Sequence, residues 1–161
     1  MSLETIIKKP ANCSQEELAD FECLINEGGE VTAVGLRGRI LQAEKLVLIN
    51  QAGKCVAIGA IKNPNAGYKA GVFNKAGVAA SQQYKFELGW LYVPEEERGK
   101  GNGRELIRVI TESLIGQKSY ATTRENNQVM HKLFEAFGYT KAGKSYPSQN
   151  GDYLLALYTS G

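Results

Sequence analysis

Cysteine and histidine are scarce in this sequence of 161 residues, with three cysteines (Cys13, Cys23, Cys55) and one histidine, His131. An odd cysteine count without a CxxC pair supplies neither a disulfide framework nor a Cys/His zinc site, so no metal is expected. No apolar run approaches the ~20 residues of a membrane span. The opening MSLETIIKKP lacks the apolar core of a signal peptide, which sets the expectation of a cytoplasmic protein away from membranes. Charge of one sign is missing too. Nineteen Lys and Arg against 17 Asp and Glu leave +2, and that balance argues against nucleic acid as a partner. Only glycine is in excess, with 18 residues, so the positions of the glycines carry information.

At 161 residues with 43% hydrophobic content, the chain suits one domain, 1–161, with a sizeable core. No repeat or linker divides it. Residues 4–8 read as a strand. Ser14 and Glu17 form a capping-box pattern that opens a helix to about Asn26, stopped by Gly28 and Gly29. A weaker helix is expected from about Val31 to Leu41. LVLIN and KCVAIGAIK, around Gln51-Ala52-Gly53, predict a hairpin. Residues 63–84 are rich in Gly, Asn, Ala and Lys, and predict an irregular excursion.

The pattern then sharpens. KFELGWLYV predicts a strand ended by Pro94, followed by a loop and a helix over 104–115 with Leu106, Ile107, Ile110 and Leu114 on one face. SYATT predicts a strand, 127–137 a helix, and 139–145 and 153–159 two closing strands. The fold class is therefore α/β (α+β): a mixed central sheet of about six to seven strands with about four helices.

Between the KFELGWLYV strand and its helix lies RGKGNG, Arg98 to Gly103. Glycines at 99, 101 and 103 let a ligand approach the backbone. The unpaired N–H groups and macrodipole of the following helix favour an anion, above all a phosphate or pyrophosphate. Arg98, Lys100, Arg104 and Arg108 add cationic charge. A P-loop is excluded because Gly101 follows Lys100 where Ser or Thr is needed. A dinucleotide fingerprint is excluded because its last glycine would fall on Arg104 or Leu106.

With these residues in place, the sequence resembles the GNAT superfamily of acyl-CoA-dependent N-acetyltransferases. The resemblance runs from Tyr84 to Tyr139 and rests on Phe86-Glu87-Leu88-Gly89, the strand end at Val93-Pro94, RGKGNG, and Asn127 followed by Leu133-Phe134-Glu135-Ala136-Phe137-Gly138-Tyr139. It implies that main-chain groups of Arg98, Gly99, Lys100, Gly101, Asn102, Gly103 and Arg104 hold the pyrophosphate of acetyl-CoA, used as co-substrate. It further implies that Leu91, Tyr92 and Val93 hydrogen-bond the pantetheine as an added strand would, and that Asn127 contacts the same arm. As a first-turn residue, Asn127 could equally cap its helix.

Transfer to an amine needs a neutral nucleophile, and a carboxylate can take the proton directly or through water. Glu87 stands where many family members carry that base; the alternative is a strand carboxylate paired with Lys85 or Lys62. A strand N–H near Leu91 or Tyr92 would stabilise the oxyanion. Many relatives place a proton-donating tyrosine where this chain has Phe134. His131, Tyr120, Tyr139 and Tyr146 are candidate substitutes. The implied activity is transfer of acetyl to a primary amine, of a small molecule or of a protein or peptide, in a ternary complex. A coenzyme-binding regulatory module without transfer, and acetylation of aminoacyl-tRNA, are the alternatives. Many relatives are dimers, which leaves a homodimer open.

Overall fold

The computed structural model describes residues 3–29 and 33–160. Seven strands form one mixed sheet in the order β1-β2-β3-β4-β5-β7-β6. In chain order they are β1 (Glu4–Lys8), β2 (Lys45–Gln51), β3 (Lys54–Lys62), β4 (Phe86–Tyr92), β5 (Ser119–Arg124), β6 (Tyr139–Pro147) and β7 (Leu154–Ser160). The α-helices among the described residues are α1 (Gln15–Gly28), α2 (Leu36–Leu41), α3 (Ala66–Ala76), α4 (Asn102–Ser113) and α5 (Gln128–Ala136).

The chain divides into two units, Met1–Asn63 with Leu88–Ile110, and Pro64–Glu87 with Thr111–Gly161. In the first, β1, β2 and β3 are antiparallel neighbours, Ile6 opposite Leu48 and Leu48 opposite Ile58. Both faces of β2 and β3 are covered, so these strands read as apolar runs rather than alternating ones; Leu46, Val47, Leu48 and Ile49 are all buried. Phe21, Leu24 and Ile25 of α1 pack with Leu36 and Ile40 of α2 against Leu46, Leu48 and Ile58. Each such side chain contributes about 1.5–3 kcal/mol on burial.

The capping box is present as expected. Glu17 N–H donates to Ser14 Oγ at 3.0 Å and Ser14 N–H to Glu17 Oε1 at 2.8 Å. Helix α2 begins only at Leu36, after Gly35 in a left-handed conformation (φ 74°), so the expected longer helix is not formed. The Val31–Thr32 part of that expectation lies outside the described residues.

The second unit holds the start of β4, where Phe86 and Glu87 pair in parallel with Ser119 and Tyr120. Strand β7 lies antiparallel between β5 and β6, with Thr122 opposite Leu157 and Leu157 opposite Ala142. Here the excursion expected over 63–84 is corrected: it contains α3. Asn65 Oδ1 caps this helix by accepting from Gly67 N–H at 2.8 Å, and Gly77 at φ 76° closes it. Gly67 and Gly71 inside it erase the helical signal in the sequence. Val72, Phe73 and Ala76 anchor it by packing with Tyr120, Tyr146 and Leu157.

Candidate active site

In the first unit, β4 runs into a 3₁₀ turn (Glu95–Glu97) and then the glycine loop. Gly99 and Gly101 sit at φ 74° and 85°, in the region that only glycine enters freely. Helix α4 starts at Asn102, two residues before the expected start, because Glu105 N–H already bonds Gly101 C=O at 3.0 Å. The N–H groups of Asn102 and Gly103 thus belong to the first helical turn, ahead of the regular i−4 ladder of α4. Helix N-termini of this kind are the ends at which anions are generally favoured.

The side chains of the loop are more occupied than their charge suggests. Glu97 is 8% exposed and lies between Lys54 at 3.1 Å and Lys100 at 3.3 Å. The hydrogen bond from Lys54 holds its carboxyl below the usual range, against the opposing effect of desolvation. Asn102 is buried, its Nδ2 donating to Glu97 C=O at 3.0 Å. Arg98 Nε donates to Val93 C=O at 2.9 Å, and Arg108 pairs with Glu105. Tyr92 donates its hydroxyl to Glu27 at 2.9 Å. Much of the side-chain charge around the loop is accordingly engaged within the first unit.

One feature of β4 was invisible in the sequence. Trp90 takes φ 50°, an outlier for a bulky residue that costs about 1–3 kcal/mol. Phe21 braces its ring edge-on at 6.0 Å, and the Lys62 ammonium lies 4.3 Å from its centroid. A positive φ inside a strand breaks the alternation of the pleat, re-aiming the groups that follow it, Leu91 among them. Gly89 beside it signalled a bulge or a close backbone approach, without saying which.

In the second unit, Glu87 is 5% exposed. Tyr68 of α3 donates its hydroxyl to Glu87 Oε2 at a long 3.5 Å. Burial first, and the Glu87 charge second, push the hydroxyls of Tyr68, Tyr120 and Tyr146 upward, Tyr146 to about 12. The Tyr146 hydroxyl is buried without a hydrogen-bond partner among the described residues. These hydroxyls stay protonated at neutral pH. Those same hydroxyls are poor acids for a thiolate whose own pKa lies near ~8.5.

The remaining candidates have partners of their own. His131 Nε2–H donates to Arg124 C=O at 3.1 Å, which leaves Nδ1 to accept from the Tyr158 hydroxyl at 2.5 Å. Tyr139 and Ser119 share a hydrogen bond of 2.5 Å. Phe134 is fully buried between the rings of Tyr139 and Tyr158. Asn127 Oδ1 accepts from Met130 N–H at 3.2 Å and caps α5, the role its first-turn position allowed. Among the described residues, no cluster of His, Cys, Asp or Glu could hold a metal ion. No described helix is long and apolar enough to cross a membrane.

Solved structures of low sequence identity share this fold. An acyl-CoA N-acyltransferase from Pseudomonas aeruginosa superposes with a TM-score of 0.73 at 13% identity, covering 99% of this chain and 100% of that one. ElaA from Escherichia coli gives 0.71 at 14%, covering 97% and 99%. An N-acetyltransferase from Staphylococcus aureus gives 0.67 at 16%, covering 97% of each. The strand order and the glycine loop between β4 and α4 are thus set in an acyltransferase fold. The model of the Acetyltransferase (GNAT) family matches residues 15–139, and the chain belongs to that family. No curated protein sequence matches it.

Proposed function

We propose that this protein transfers an acetyl group from acetyl-CoA to a primary amine, by direct attack within a ternary complex. The observation that carries the reading is the loop Arg98–Gly103, with Gly99 and Gly101 in left-handed conformations, opening onto the first turn of α4. Main-chain groups from Arg98 to Arg104 would grip the pyrophosphate, and those of Leu91, Tyr92 and Val93 would carry the pantetheine back along β4. The acyl carbon would then arrive near Trp90, and a main-chain N–H at Leu91 or Tyr92 would meet the oxyanion.

Glu87 precedes that point on the same strand and is the general base. Its burial raises the value of each hydrogen bond it accepts, and Tyr68 helps hold it ready to take a proton. The acceptor nitrogen loses its proton, directly or through water, and attacks the thioester carbonyl. The C–N bond forms, the C–S bond breaks, and coenzyme A leaves as its thiolate. With Phe134 where a tyrosine would donate and His131 engaged by Tyr158 and Arg124, protonation of the thiolate falls to solvent. The acceptor is a small-molecule amine or a protein or peptide amine.

A thiol-release assay with acetyl-CoA against polyamines, aminoglycosides, amino acids and peptides tests the reading. Turnover with any of them supports it. Saturable binding without turnover favours the second reading, a coenzyme-binding module, which Phe134 motivates.

A further inference from the structure

Lys62, the last residue of β3, lays its stem across β4. A Cβ placed on Gly89 would collide with Lys62 Cδ and stand 3.2 Å from its Cγ, so the missing side chain at 89 is the space this lysine occupies. Beyond that point the ammonium rests 4.3 Å above the indole of Trp90, the residue whose backbone is strained at φ 50°. Among the described residues this ammonium meets the Trp90 ring and no carboxylate. Lys62 is half-buried, whereas Lys54 and Lys100 are exposed and salt-bridged to Glu97. A lysine kept for solubility would extend into water. This one is threaded over a glycine and seated on an aromatic face, beside the strand segment to which the proposed function assigns the acyl thioester.

We propose that Lys62 is a self-acylation site, an amine of the protein's own that takes the acyl group when no external acceptor is present. The inference rests on the reading given under Proposed function. After the ammonium gives up a proton to water, the neutral Nζ attacks the thioester carbonyl of acyl-CoA and sheds its second proton to water. The N–C amide bond forms, the C–S bond breaks, and the thiolate leaves and is protonated by solvent. The product is an Nζ-acyl lysine, whose stem still crosses Gly89 while the positive charge over Trp90 is gone. Because each chain carries one such amine and the amide is stable, the reaction is a single turnover rather than a competitor of acceptor transfer.

The experiment is intact-mass spectrometry and peptide mapping of the full chain incubated with acetyl-CoA, alongside Lys62→Arg, with acetyl-CoA binding to both proteins measured by calorimetry. The expected result is one acetyl group per chain on Lys62, suppressed by excess free coenzyme A. Lys62→Arg is expected to lose that modification while binding acetyl-CoA within about twofold of the parent. Saturable binding with the Lys62 peptide unmodified, or acetylation scattered over many lysines and indifferent to free coenzyme A, overturns this inference alone. No binding by the parent protein overturns the proposed function, and the inference with it.

Discussion

The Tyr68 hydroxyl reaches from α3 to Oε2 of Glu87 at 3.5 Å, joining a segment with no strong helical pattern to the buried carboxylate at the start of β4. On the proposed reading, this relationship ties the 63–84 stretch to the general base. It also sets apart what Glu87 and Tyr68 should each do when altered.

Glu87→Gln keeps the size of the side chain and removes its basicity. The expected result is a fall in kcat/KM of about 10²–10⁴-fold, in the range of a general base, with the acidic limb of the pH–rate profile flattened. Tyr68→Phe leaves the carboxylate in place and removes one donor. It should lower kcat by a smaller factor and shift that same limb. Steady-state kinetics across pH read both variants; an unchanged profile in Glu87→Gln would remove it from the base role.

Gly101→Ala forces an L side chain into φ 85°. The strain is about 1–2 kcal/mol. Because the loop presents backbone N–H groups, displacing them to relieve that strain should weaken coenzyme binding about tenfold, while strain that remains lowers the unfolding midpoint by about 2–4 °C per kcal/mol. Calorimetry and a thermal melt on the same sample separate the two effects.

Gly59→Ala tests packing on the other side of β4. Its Cβ would stand 2.9 Å from Leu91 Cδ2, 3.0 Å from Leu106 Cδ1 and 3.1 Å from Ile110 Cδ1. These are ends of flexible side chains that can shift, so the cost belongs near the lower end of the ~1–3 kcal/mol of overpacking. Denaturant unfolding should show that loss of stability.

The tyrosines set the alkaline limit. Burial raises the folded-state pKa of Tyr146 from its ordinary 10 to about 12, and raises those of Tyr68 and Tyr120 as well. A group with a raised pKa contributes its full stability below its unfolded value and loses it as pH climbs toward the folded one. Stability should therefore hold below pH 10 and decline from there to about 12. Tyrosinate absorbance should rise in step with loss of circular dichroism, not ahead of it. Early, non-cooperative ionisation of all the tyrosines would contradict their burial.

Where the sequence speaks through short-range rules, the structure follows it. The Ser14–Glu17 capping box, the β2–β3 hairpin, the glycine loop and the apolar face of α4 all rest on residues a few positions apart. Its silences are tertiary. Gly67 and Gly71 weaken the intrinsic case for α3, and the packing of Phe73 beside Tyr84 and Tyr120 overrides it. The positive φ of Trp90 and the path of Lys62 over Gly89 join residues on neighbouring strands, and no local pattern encodes them. Charge misleads in the opposite direction. Lys100 and Arg108 add cationic charge in the sequence, and the fold pairs them with Glu97 and Glu105.

The central claim, a coenzyme pyrophosphate held by the backbone of residues 98–104, is tested most directly by calorimetric titration with coenzyme A and, separately, with pantetheine, which lacks the pyrophosphate. The account predicts one saturable site for coenzyme A, weakened by Gly101→Ala, and far weaker binding of pantetheine. Equal affinity for the two compounds, or no binding of coenzyme A, would contradict it.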